Sequence, residues 1–111
     1  MSVPEVPNRK GVSVEIAAEV DGMQLQIVEL APGGLIGSHT HARPHTVVVI
    51  RGAGRETASG KVYSLGDHAL FGAQQPHGWE NTGNEAFCFA SISAGPGLLH
   101  IERKIWDMTP A

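Results

Sequence analysis

Residues 33 to 45 read Gly33-Gly34-Leu35-Ile36-Gly37-Ser38-His39-Thr40-His41-Ala42-Arg43-Pro44-His45, and three of the chain's six histidines lie between positions 39 and 45. His39 and His41 are two apart, so on a strand both side chains leave the same face. Their Cα atoms then stand roughly 6.5–7 Å apart, at about 3.3 Å per residue. Two imidazoles so spaced can converge on one ion, each at about 2.0–2.1 Å. His45 is farther along: four residues of straight strand cover roughly 13 Å, too much for a shared ion. Pro44 marks a break, because proline is excluded from a central strand. His41 is therefore placed at the end of one strand and His45 at the start of the next. A helix pairing His41 with His45 one turn on is excluded by Pro44 and by the β-branched run that follows.

That run, Thr46-Val47-Val48-Val49-Ile50, is β-branched at every position and predicts a strand covered on both faces. One face would look into a barrel, and a partner subunit is the simplest cover for the other in a chain of 111 residues. Upstream, Val12, Val14 and Ile16 share a face, and Asp21-Gly22 is a turn. Met23, Leu25 and Ile27 alternate with Gln24 and Gln26, the period of a half-buried strand, with Met23 assigned to the core. Ala31-Pro32-Gly33-Gly34 is read as the end of that strand. Downstream, Gly52-Ala53-Gly54, Ser59-Gly60 and Gly66-Asp67 punctuate short strands at 55–58, 61–65 and 69–71. Further strands are expected around 77–80, 86–93 and 98–106. Fourteen glycines and seven prolines punctuate the chain every several residues, and no stretch of ten residues carries helical periodicity. Evenly spaced short strands predict an all-β barrel or sandwich. Residues 1–11, with Pro4 and Pro7, read as an extended arm, and 12–111 as one domain, without repeats.

His77 follows Pro76 and could bring a fourth imidazole from a distant strand into a barrel interior. Taken together these residues resemble the two motifs of the cupin family. Gly33, His39, His41, His45 and Gly52 fall on the spacing of the first motif, with His45 where the family usually has glutamate. Gly66-Asp67, His77 and Asn81 match the second, with Gly72 where proline is common. The resemblance spans Gly33 to Asn81. It implies an antiparallel β-barrel or jelly roll, often a homodimer, with one divalent transition metal (Mn, Fe, Ni, Cu or Zn) held inside one end by His39, His41, His45 and His77. Four neutral imidazoles would leave the ion's charge uncompensated, so such a centre should favour an anionic or oxygen-chelating molecule.

Composition narrows the remaining classes. Net charge is −3, and the eight Lys and Arg are scattered, which argues against a nucleic-acid or anionic-membrane surface. A single cysteine excludes an intrachain disulfide and a cysteine-based zinc site. Cys88, between Phe87 and Phe89, is assigned to packing. With no signal-peptide core near the N-terminus and no apolar run of spanning length, a cytoplasmic protein is expected.

Trp79 is a pocket candidate equally able to fill the barrel, and Phe71, also a possible pocket residue, is most simply core. Arg43, in the loop between ligands, could meet an anionic substrate, and His100 could line the pocket. His68 is assigned outside the site. Tyr63 and Glu80 are the available acid–base groups, although nothing in the sequence brings either to the metal, and no catalytic residue is named. Arg55-Glu56 and Glu102-Arg103-Lys104 read as exposed charges. The expected function is a metal-dependent, dioxygenase-like enzyme acting on a small anionic or oxygen-chelating molecule. A non-catalytic small-molecule or metal sensor and an oxygen-independent isomerase or lyase are the alternatives.

Overall fold

The computed structural model describes residues 9–20, 22–94 and 106–108. Every regular element among them is a strand: β1 (Arg9–Val20), β2 (Met23–His39), β3 (His45–Arg51), β4 (Ala53–Glu56), β5 (Val62–Ser64), β6 (His68–Phe71), β7 (His77–Glu80), β8 (Phe87–Ala94) and β9 (Trp106–Met108). They form one antiparallel sheet in the order β5-β4-β7-β2-β8-β3-β6, with β1 pairing β2 and β9, rolled into a nearly closed barrel. The β5–β6 turn is tied back to β3 by Gly66 N–H to Val49 O and Val49 N–H to Asp67 O, each 2.9 Å. No helix among the described residues is long and apolar enough to cross a membrane.

Three sequence expectations are revised. Residues 9–11, read as part of an arm, already belong to β1, where Arg9 faces Ile36 and Lys10 faces Leu35. Ala31-Pro32-Gly33-Gly34 does not end a strand, because β2 runs through it for 17 residues. Gly33 adopts φ +80°, a conformation open to glycine, and its N–H bonds Asn81 O at 3.0 Å while Asn81 N–H returns to Gly34 O at 2.9 Å. The segment bends β2 instead of stopping it. Residues before the bend pair with β8 and residues after it with β7, so one strand serves both walls of the barrel.

The third revision concerns which face of β2 points inward. Met23 is 50% exposed, and Leu25 and Ile27 are half-buried, while Gln24 and Gln26 lie inside with Val28 and Leu30. The interior is thus graded along the strands. One end packs Leu30, Val49, Phe87, Phe89 and Trp79; the other carries Gln24, Gln26, Ser91, Ser93 and the histidines. In β3 the odd-numbered residues His45, Val47 and Val49 face in, and Thr46 and Val48 stay half-buried outside. The turn expected at Asp21-Gly22 shows Gly22 at φ +78°, and Asp21 lies outside the described residues. So does most of the strand expected at 98–106, together with His100 and the Glu102-Arg103-Lys104 run.

Candidate metal centre

The polar end of the barrel gathers its histidines from three strand ends and one loop. His39 closes β2 and lies directly across from His77, the first residue of β7. His45 opens β3, as Pro44 predicts, and pairs with Phe71 of β6 and Ser93 of β8. His41 sits just beyond β2, in the loop to β3, and not at a strand end as expected. The ring centroids of His39, His41 and His77 are 4.5–5.2 Å apart, and one ring nitrogen from each lies within 4.8 Å of the other two. His45 adjoins this trio, 5.1 Å from His41 and 4.8 Å from His77 between centroids. All four are buried.

Hydrogen bonds behind the rings decide which nitrogen faces inward. His39 Nδ1 is 2.7 Å from Gly37 O, and His77 Nδ1 is 2.8 Å from Gln75 O. A carbonyl only accepts, so each Nδ1 carries the proton and each neutral ring turns an Nε2 lone pair to the site. His45 Nδ1 lies 3.0 Å from Ser91 Oγ, a hydroxyl able to donate or accept. Its Nε2 is 3.0 Å from His77 Nε2. With no cation between them this contact needs one proton, supplied by His45 Nε2–H while Ser91 donates to Nδ1. Were a cation bound, His45 and His77 would offer it both Nε2 lone pairs, and Ser91 Oγ would accept from His45 Nδ1–H. The separation also suits two ligands of one ion, which at about 2.1 Å each and a right angle stand about 3.0 Å apart.

The surroundings favour the neutral form of His45 and His77. Burial, reinforced by the neighbouring His77 and His39, pushes His45 from 6.5 down to about 3. Burial also lowers His77, opposed by its bond to Gln75 O and by the nearby Glu56 carboxylate. Neutral imidazole is the metal-ligating form. Buried donors, outer hydrogen bonds and lone pairs turned toward one point all fit a transition-metal ion.

Glu56 is a correction: read as an exposed charge, it is 3% exposed. Burial alone would raise its carboxyl, but donors from Ser59 Oγ, Ala58 N, Ser59 N and Gly78 N outweigh this and hold it below 4.5. Its bond to Gly78 N locks β7 just after His77. Gly78 itself has no room for a side chain, since a Cβ would meet Ile36 O and Thr57 Oγ1, each at 2.6 Å. Arg55, on the outer face, pairs with Glu80 at 2.8 Å, which holds Glu80 at the surface.

A small cavity of about 20 Å³, partly open to solvent, is lined by His39, His41 and His45 together with Gln26, Ser91, Val28, Ile36, Trp79 and Phe89. Trp79 both lines it and fills the barrel, touching Tyr63, Phe71, Phe87 and Phe89. Phe71 stacks on His77, 4.5 Å between centroids and 20° from parallel. Arg43 is exposed on the loop, and His68 is exposed on β6. Tyr63 is buried against Trp79, and Cys88 is buried, its thiol pushed up by burial. The sequence reading missed Gln26 and Ser91. Their signal was phase: counted back from Val28 and Leu30 the inward positions of β2 reach 26, and counted on from Phe87 and Phe89 the next inward position of β8 is 91.

Proteins of known structure share this architecture. The polyketide cyclase RemF from Streptomyces resistomycificus superposes with a TM-score of 0.73 at 16% identity, covering 98% of this chain and 81% of that one. An uncharacterised protein with a double-stranded β-helix domain from Klebsiella pneumoniae gives 0.66 at 26% identity, covering 78% and 82%. A cupin-superfamily sugar phosphate isomerase from Silicibacter pomeroyi gives 0.68 at 20% identity, covering 76% and 59%. No curated protein sequence matches the chain. The family model described as "Cupin domain" matches residues 26–93, a span that contains His39, His41, His45 and His77, and the chain belongs to that family.

Proposed function

We propose that this protein is a metal-dependent enzyme that binds a small oxygen-chelating organic molecule, with His39, His41, His45 and His77 holding one divalent transition ion. The observation that carries this reading is the convergence of buried ring nitrogens, three of them in rings anchored from behind. A bound ion would supply Lewis acidity and orient the ligand through its oxygens. The chain's own residues supply the rest. Gly37 O, Gln75 O and Ser91 Oγ keep the rings aimed, and Trp79, Phe89, Val28 and Ile36 keep bulk water from one side of the cavity. Among the described residues no carboxylate lines the cavity, and the nearby Glu56 is occupied by its four donors, so none of them offers a free carboxylate base there. Ionisation of the ligand itself then takes the place of a protein base.

Oxidative cleavage with dioxygen is the reaction class to test first, since four protein ligands leave room for both substrate and oxidant on a six-coordinate ion. An oxygen-independent cyclisation or isomerisation is the second reading, favoured by the names of the cyclase and isomerase that share the fold. Oxygen uptake by iron- or manganese-loaded protein across a panel of hydroxy acids and diketones separates them. Turnover that requires oxygen supports the first, turnover that persists anaerobically supports the second, and tight binding without turnover supports a sensor.

A homodimer is part of the proposal. On the outer face Leu70, Thr46, Ile92 and Leu25 form one cross-strand row over β6-β3-β8-β2. Leu70 is 68% exposed, which suits an apolar face covered by a second copy.

A further inference from the structure

Gln26 lines the same cavity as the histidines, and its hydrogen bonds fix which end of its amide is left without a partner. Gln26 is 1% exposed and lies across from Ser91, whose hydroxyl touches His45. Gln26 Nε2 donates to Gln24 Oε1 at 2.7 Å, and Gln24 Nε2 donates to Glu19 Oε2 at 2.8 Å. A carboxylate only accepts, so Gln24 must turn its NH2 to Glu19 and its carbonyl to Gln26. Gln26 must then spend its NH2 on Gln24. The relay is polarised from the barrel rim inward, and it ends on Gln26 Oε1, a buried oxygen with no hydrogen-bond partner. Ser93 Oγ, across from Gln24 and His45, is also buried and unpartnered, but a hydroxyl can donate or accept and does not discriminate. Gln26 Oε1 can only accept.

We propose that Gln26 is a specificity determinant of the centre, accepting a hydrogen bond from the ligand that the histidine-bound ion chelates. The ligand class is therefore narrower than oxygen chelators in general: it carries an N–H or O–H next to its chelating oxygens, and an isostere with C–H there is disfavoured. The inference rests on the metal-centre reading. A buried acceptor left unpaired is penalised, whereas a ligand donor satisfies it.

Oxamate and pyruvate test this. They share a carboxylate–carbonyl chelate and a shape, and they differ in NH2 against CH3. Cobalt-loaded protein is titrated with each and followed in the cobalt visible bands, with cobalt content measured on the same samples. The oxamate-to-pyruvate affinity ratio of the natural chain should exceed that of Gln26→Met by about tenfold, the worth of one satisfied buried hydrogen bond. In Gln24→Met, which does not touch the cavity lining but frees the Gln26 amide to rotate, the ratio should fall as well. Equal ratios in the natural chain and either variant, with cobalt retained, overturn the proposal and leave the metal centre standing. Failure of the natural chain to retain cobalt overturns the metal-centre reading itself.

Discussion

Acidifying the metal-free protein from pH 7 to pH 5 should cost it stability through His45 in particular. In the unfolded chain this imidazole titrates at 6.5, whereas burial beside two other histidines holds it at about 3 in the fold. At pH 7 both states are mainly neutral at this position and little is lost. As the pH falls below 6.5 the unfolded state takes up a proton that the folded state refuses, so stability drops, and it keeps dropping until about pH 3. At pH 5 the unfolded group lies 1.5 units above the solution pH, and at 1.36 kcal/mol per unit the loss from His45 is about 2 kcal/mol. His77, also lowered, adds to it in the same direction. Urea denaturation of chelator-treated protein at fixed concentration reads the total at each pH. His45→Leu removes the His45 part, so the stability lost between pH 7 and pH 5 should be about 2 kcal/mol smaller in the variant. The same loss in both proteins would refute a buried, neutral His45.

Glu56→Gln should lower stability at pH 7 by about 2–4 kcal/mol, because an ionised acceptor of four hydrogen bonds is replaced by an amide that accepts at one end only. The folded carboxyl sits below 4.5, so its stabilisation is complete above that pH and is lost as the pH falls through the depressed value. The variant should lack this acid-sensitive component, and denaturation at pH 7 and pH 3.5 checks both parts. Gly78→Ala should push β7 from β2, since the new methyl meets a backbone oxygen at 2.6 Å. Metal affinity should fall along with thermal stability, whereas affinity unchanged from the natural chain would mean His77 does not depend on this close approach. Leu70→Glu combined with Ile92→Glu should convert a dimer to a monomer in light scattering while leaving metal content intact. A dimer that survives both charges would place the interface elsewhere.

Much of the fold was legible because turn glycines and β-branched runs act locally. The Thr46–Ile50 run, the strand at His77 and the strand ending near Ser93 all form about where propensity puts them. Pro44 was a sound guide to His45, since a residue without an N–H cannot continue the ladder. What misled was chemistry that depends on distant partners. Ala31-Pro32-Gly33-Gly34 has every mark of a stop, yet bonds from Asn81 carry the strand through it. Gln24 and Gln26 looked like a solvent face because polar residues alternating with Met23, Leu25 and Ile27 ordinarily are one. They are inside because the relay to Glu19 satisfies part of their polarity, leaving Gln26 Oε1 as the one amide oxygen of the pair without a partner. Glu56 was hidden for a similar reason: its donors come from a turn two and three residues on and from β7, and charge alone reads as exposure. The candidate ligands were legible from spacing, whereas the groups that aim them, Gly37 O, Gln75 O and Ser91 Oγ, follow only from the closed barrel.

The most direct test of the metal centre is elemental analysis of protein purified without a histidine tag, beside a variant carrying both His39→Ala and His77→Ala. The account predicts about one equivalent of Mn, Fe, Ni, Cu or Zn per chain in the natural protein and loss of nearly all of it in the variant, since two of its imidazole ligands are gone. Natural protein that holds no metal even after reconstitution, or a variant that retains a full equivalent, would contradict it.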